Sequence, residues 1–156
     1  MKLNLRVLLP VILSGGVILS WSTVFQSFVV FYGYEGTIFK FTNCTITNPF
    51  LTPCFYGALG FGAALIWSSS LYLKSTKGLF GPYRYLTFFL LFCTIFGWGN
   101  VAYEVWEWFK TADHTISGCG GKTFVSPLQS PCVWGSVFYL ISLIVVSSIY
   151  RKTKRD

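Results

Sequence analysis

Apolar residues fill four long stretches of this chain, over residues 7–31, 54–73, 83–109 and 132–150. Short polar segments, rich in turn residues, separate them. At about 1.5 Å rise per residue, a helix over any of the four crosses the roughly 30 Å hydrocarbon core of a bilayer. The pattern predicts an all-α integral membrane fold, a four-transmembrane-helix bundle. The link over 74–82 holds Gly78, Gly81 and Pro82 and reads as a tight turn. The first stretch follows Lys2 and Arg6 and has the look of a signal peptide. Its apolar run continues through Phe25, Phe28, Val29 and Val30, which favours an uncleaved helix.

Composition agrees with the pattern. The 156 residues are 53% hydrophobic and 11% charged, against roughly 25% charged in a soluble domain. Mean hydropathy is +0.59. The length suits a single membrane domain over 1–156.

Charge then orients the helices. The formal net charge is +7. Lys2 and Arg6, then Lys74, Lys77 and Arg84, then Arg151, Lys152, Lys154 and Arg155 lie on one side of the predicted membrane. Lys40, Lys110 and Lys122 share the opposite side with Glu35, Glu104, Glu107, Asp113 and His114. Unopposed positive charge marks the cytoplasmic face, so both termini and the middle link are expected there, in a plasma or inner membrane. Anionic lipid accounts for the basic face, and no nucleic-acid partner is expected. Tyr32, Tyr34, Tyr56, Trp106, Trp108 and Trp134 fall at the outer interface. Tyr72, Tyr83, Tyr85 and Tyr150 fall at the inner one.

The chain also repeats itself. Asn48-Pro49-Phe50-Leu51-Thr52-Pro53-Cys54 returns as Ser126-Pro127-Leu128-Gln129-Ser130-Pro131-Cys132. The match continues in register through Gly57 and Gly135, Leu65-Ile66 and Leu143-Ile144, Ser69-Ser70 and Ser147-Ser148, Tyr72 and Tyr150, and Lys74 and Lys152. Roughly ten of about 29 aligned positions are identical. The expectation is two tandem parallel helix–cysteine loop–helix repeats, units 1–77 and 78–156, related by an axis along the membrane normal.

Within each unit, Thr52-Pro53-Cys54 and Ser130-Pro131-Cys132 read as helix starts. A hydroxyl supplies the N-cap, and proline fits the first helical position. Cysteine then falls in the first turn, where the helix dipole favours a thiolate. Asn48-Pro49 and Ser126-Pro127 have the same cap-then-proline form and predict a short helical turn ahead of each helix.

Four cysteines lie in the predicted outer loops: Cys44, Cys54, Cys119 and Cys132. An even number outside the cytoplasm suggests disulfides. The repeat favours Cys44–Cys54 and Cys119–Cys132, with Cys44–Cys119 and Cys54–Cys132 as the symmetric alternative. Closing a loop of about ten residues stabilises it by a few kcal/mol. Cys93 reads as a buried, unreactive thiol in the third helix.

Other polar residues weigh less. Glu104 and Glu107 share a helix face, and with Asp113 and His114 they match no specific metal pattern. They read as interfacial charges that pair with Lys110. Asn100 reads as polar glue to a neighbouring helix. Gly57, Ala58, Gly60, Gly62, Ala63 and Ala64 mark a close-packing surface, with Gly15 and Gly16 as its counterpart in the first helix. Trp21, Trp67 and Trp98 read as packing residues near mid-membrane. Asn43-Cys44-Thr45 fits the N-glycosylation pattern. No charged residue lies at mid-membrane depth, so no ion pathway is read.

Two functions fit. The favoured expectation is a structural or interaction subunit of the cell envelope, with two disulfide-closed outer loops, no cofactor, and a membrane-protein partner or a second copy. The alternative is a membrane thiol–disulfide oxidoreductase coupled to a quinone. The four-helix layout and outer cysteines resemble those of the vitamin K epoxide reductase family and the bacterial disulfide-forming membrane proteins. That resemblance implies Cys54 or Cys132 as attacking thiolate, Cys44 and Cys119 as exchange partners, and aromatic rings around a quinone. The Cys-x-x-Cys of those families is absent here.

Overall fold

A chain in hydrocarbon has no water to satisfy its peptide groups, so its apolar runs close their hydrogen bonds internally as helices. The computed structural model has this form, and it describes residues 5–42, 44, 46–73, 80–111, 116–117 and 123–155. Four long helices result: α1 (Leu5–Glu35), α2 (Pro53–Leu73), α3 (Phe80–Lys110) and α4 (Pro131–Arg155). All four are long and apolar enough to span a membrane, and the chain is a multi-pass membrane protein.

The helices outrun the apolar stretches because nothing stops them at the hydrocarbon edge. Gly36 ends α1. Its φ of 69° turns the chain left-handed, and its N–H bonds back to the Tyr32 carbonyl at 2.8 Å. Beyond it Lys40 forms an ion pair with Glu35. The Glu35 hydrogen bond raises the Lys40 pKa, so the lysine side of the pair holds at neutral pH and is lost as pH rises through the lysine range.

A one-turn 3-10 helix precedes both α2 and α4, at Pro49–Leu51 and Pro127–Gln129, as the cap-then-proline pattern predicts. The two caps differ. Ser130 Oγ accepts from the Cys132 N–H at 3.2 Å, whereas the Thr52 hydroxyl turns back and donates to the Pro49 carbonyl at 2.7 Å. A ladder of two residues per strand, β1 (Ile116–Ser117) with β2 (Thr123–Phe124), lies between α3 and α4. No hydrophobic alternation announced so short a pairing.

The helices pack as a ring in chain order. Each of α2 and α4 packs against α1 and α3, so the two face each other across the middle. Leu9, Leu13, Phe61, Ala64, Leu86, Leu90, Tyr139 and Val146 fill the interior. Ile18, Ile66, Phe92 and Ile95 are all more than 60% exposed, as residues facing lipid tails must be. Small residues set the closest approaches. A Cβ on Gly16 would sit 2.4 Å from the Phe61 ring, and one on Gly60 would sit 2.5 Å from the Tyr139 hydroxyl. Gly57 and Gly62 meet nothing within 4 Å, so the close-packing surface is narrower than the composition of α2 implies.

Serine and threonine hydroxyls inside the helices bond back to carbonyls of the preceding turn, such as Thr94 to Leu90 at 2.7 Å and Ser27 to Thr23 at 3.0 Å. Asn100 does the same, donating to the Phe96 carbonyl at 2.7 Å. The reading of Asn100 as glue to another helix is thereby corrected. Trp21 and Trp67 do pack, edge-on or tilted against Phe55 and Phe89.

Asn48 organises the loop after α1. It is 1% exposed, donates to the Ile38 and Lys40 carbonyls at 3.1 and 2.7 Å, and accepts from the Phe50 N–H at 2.9 Å. Phe28, Phe50 and Phe55 pack edge to face around it. Asn48→Ala leaves two carbonyls and one N–H without these partners, an expected loss of about 1–3 kcal/mol. The Cys44 thiol, 3.3 Å from the Lys40 carbonyl, reports on it: its alkylation should accelerate in the variant.

Candidate functional site

The N-terminal ends of α2 and α4 come together, and each helix starts at a proline, Pro53 and Pro131. The next residue of each points inward. Cys54 Sγ and Cys132 Sγ are 3.7 Å apart, close to van der Waals contact and well beyond the roughly 2.05 Å of a disulfide. One turn or two further along, Phe61 stacks on Tyr139 with ring centroids 3.8 Å apart and planes within 10°. Both pairs are 78 residues apart, which is the offset of the sequence repeat. Tyr139 also donates to the Gly57 carbonyl at 2.6 Å and so ties α4 to α2.

The thiols depart from the expected disulfide-closed loops. Among the described residues no two cysteines are at disulfide distance. Cys44, Cys93 and Cys132 are free thiols. The Cys44–Cys54 pairing is therefore corrected. Cys44 sits by the Lys40 and Thr42 carbonyls, held by the chain that folds over Asn48. Cys54 is not a free thiol; it is disulfide-bonded. Cys119 lies outside the described residues, and Cys132 is free where the Cys119–Cys132 pairing would have it bonded. Cys93 is buried on α3, as its apolar setting predicts.

A cleft of about 60 Å³ opens beside the two sulfurs. Its walls include Cys54, Cys132, Phe61, Phe96, Asn100 and Tyr139. The walls are chiefly apolar, in keeping with the rings and glycines that build them.

Glu104 belongs to α3. One Glu104 oxygen is shut off from solvent and accepts no hydrogen bond. The expected pairing of Glu104 with Lys110 does not form: among the described residues no ion pair joins them. Lys110 lies over the Trp106 ring, 4.8 Å from its centroid, and Glu107 accepts from the Tyr103 hydroxyl at 2.9 Å. Among the described residues no group of three metal-ligating side chains comes together; Asp113 and His114 lie outside them, as do Asn43 and Thr45 of the glycosylation pattern. Trp108 donates from its indole to the Val125 carbonyl at 3.1 Å, pinning the approach to α4 against α3.

Of these residues, Cys54 and Cys132 were singled out by the sequence, and the structure brings them together. Cys44 stands apart. Phe61, Tyr139 and Glu104 were not read as site residues. The repeat offset pairs Phe61 with Tyr139 and is the signal that finds them. The screening of one Glu104 oxygen from solvent is a matter of helix docking, and no local pattern carries it.

No family model matches the chain, and neither does any curated protein or solved structure.

Proposed function

We propose that this membrane protein carries out thiol–disulfide exchange at the outer membrane face, with Cys54 and Cys132 as the exchanging pair. The observation that carries this reading is their 3.7 Å separation at two adjacent helix starts. Two sulfurs at that distance reach bonding distance by closing about 1.7 Å, within the range of a side-chain rotation. The proposed step is an exchange. When Cys54 is bonded to another sulfur, the Cys132 thiolate attacks the Cys54 sulfur in line. The Cys54–Cys132 bond forms, the older bond breaks, and the departing sulfur takes up the proton that Cys132 gave up. The reverse step oxidises an incoming thiol. Partners are thiols of the outer loops, with Cys119 and Cys44 nearest in sequence, or of a protein beyond the membrane.

The positive-inside charge pattern supports placing this end of the bundle outside. The tandem repeat supports an axis between α2 and α4, since equivalent residues meet only where an axis runs. An accessory subunit with disulfide-closed loops explains less. That reading rests on closed loops, and the free Cys44 thiol removes one closure.

A quinone is the electron acceptor that the resemblance to the four-helix thiol-oxidising families implies. It would accept two electrons and two protons from the reduced pair. The walls suit it: Phe61, Phe96 and Tyr139 are flat and apolar. The volume does not, since about 60 Å³ is well below the roughly 150 Å³ that admits benzene. No step is therefore routed through a quinone.

The test uses the full chain in membranes, supplied with a fluorescent dithiol peptide with and without a short-chain quinone. Peptide oxidation that needs both Cys54 and Cys132 but survives Cys93→Ser supports the reading. Dependence on added quinone would extend it to that acceptor. Oxidation unaffected by Cys54→Ser contradicts it.

A further inference from the structure

We infer that Cys119 is the sulfur bonded to Cys54, and that it is the thiol released when Cys132 attacks. The inference rests on the exchange role proposed above and names the partner in that step.

The cysteines of the chain decide the pairing by exclusion. They are Cys44, Cys54, Cys93, Cys119 and Cys132. Cys44, Cys93 and Cys132 are free thiols, and Cys54 is bonded. Within one chain, Cys119 is the sulfur that remains. It lies outside the described residues, but segments on either side of it do not. Ser117 and Thr123 pair in the ladder between α3 and α4, two residues before it and four after. β1 packs against α3, and Trp108 of α3 holds Val125 just past β2. Both flanks are thus anchored at the end of the bundle where Cys54 begins α2. A Cys54–Cys119 bond links the two repeat units rather than closing either one.

Three cysteines then form a relay. The Cys132 thiol lies 3.7 Å from Cys54 Sγ, a sulfur that is already bonded. Exchange occurs at the sulfur that the attacking thiolate can reach. Attack at Cys54 forms the Cys54–Cys132 bond and breaks Cys54–Cys119. Cys132 gives up its proton and Cys119 takes one up. One disulfide and one thiol stand on each side of the step, and no oxidant or reductant is consumed. The disulfide passes from a loop sulfur to the pair at the two helix starts, and back in the reverse step. Cys44 is held by the Lys40 and Thr42 carbonyls, and Cys93 is buried on α3, which leaves both out of the relay.

The test uses the full chain in native membranes. Exchange is stopped with acid, free thiols are alkylated, and unreduced digests are mapped by mass spectrometry. Samples are taken before and after incubation at mildly alkaline pH, without added oxidant or reductant. The expected result is a peptide linked through Cys54 and Cys119 at the start, with Cys132 alkylated. On incubation a Cys54–Cys132 link appears, and Cys119 becomes alkylatable in equal amount. In Cys119→Ser the bond should rest on Cys54–Cys132, so alkylation of Cys132 falls about tenfold. The wild-type arm decides the matter alone if that variant folds poorly. Cys54 recovered as a free thiol, or joined to Cys44, a second copy or another protein, overturns the inference. The exchange reading survives that outcome if a Cys54–Cys132 link still forms. A Cys54–Cys119 link that never passes to Cys132 overturns the relay and the exchange reading together.

Discussion

Changing Cys132 to serine is expected to abolish thiol–disulfide exchange while leaving the bundle folded. The serine hydroxyl is nearly isosteric with the thiol and keeps the place beside Ser130, so stability should change by no more than about 1 kcal/mol. Its oxygen does not attack a disulfide at neutral pH. Once Cys54 is bonded to an incoming sulfur, nothing in the variant resolves it, and a mixed disulfide through Cys54 should accumulate. Cys54→Ser should fail differently. It forms no mixed disulfide, and Cys132 stays alkylatable under all conditions. Non-reducing gels followed by peptide mapping distinguish the two. Under a purely structural role, both variants lower the amount of folded protein alike and trap nothing.

The second large effect concerns the ring pair beneath the sulfurs. Phe61→Ala should destabilise the protein by about 3 kcal/mol, read as a shift in the detergent-unfolding midpoint. Phe61 is 1% exposed, stacks on Tyr139, and lies so close to α1 that only glycine fits at position 16. Its loss opens a void against Gly16, Tyr139 and the cleft at once. Lipid is as apolar as the bundle interior, so most of this loss is packing rather than transfer from water. Phe92→Ala is the control. That ring is 68% exposed toward lipid, and its removal should cost well under 1 kcal/mol. The same void enlarges the cleft, so residual Phe61→Ala protein should take up small aromatic probes that the wild type excludes.

Much of this architecture was legible in the chain. Helix existence follows from apolar run length, and the starts of α2 and α4 follow from Thr52-Pro53 and Ser130-Pro131. The short turns at Pro49 and Pro127 follow from the residues that precede them. The limits are physical as well. Where α1 stops depends on Gly36, a single residue in a run that could have continued. Thr52 and Ser130 occupy equivalent places but use their hydroxyls differently, one donating to the Pro49 carbonyl and the other accepting from the Cys132 N–H, a difference that the repeat in the sequence does not carry. The site was legible in part. Cys54 and Cys132 stood out by repetition, and their meeting across the axis was the symmetric alternative to the favoured closed loop within each unit. Glu104 looked like a surface charge because its sequence neighbours Glu107 and Lys110 are charged. The screening of one of its oxygens from solvent arises from helix docking, a long-range property that a local reading does not contain.

The most direct test of the central claim is disulfide mapping of the full-length protein in native membranes across a series of redox buffers, without prior reduction of the sample. The account predicts that a peptide linked through Cys54 and Cys132 appears within one window of redox poise and disappears reversibly outside it, while Cys93 remains a thiol throughout. If both cysteine-bearing peptides are recovered at every poise and never linked to each other, the two sulfurs do not exchange, and the proposed function is contradicted.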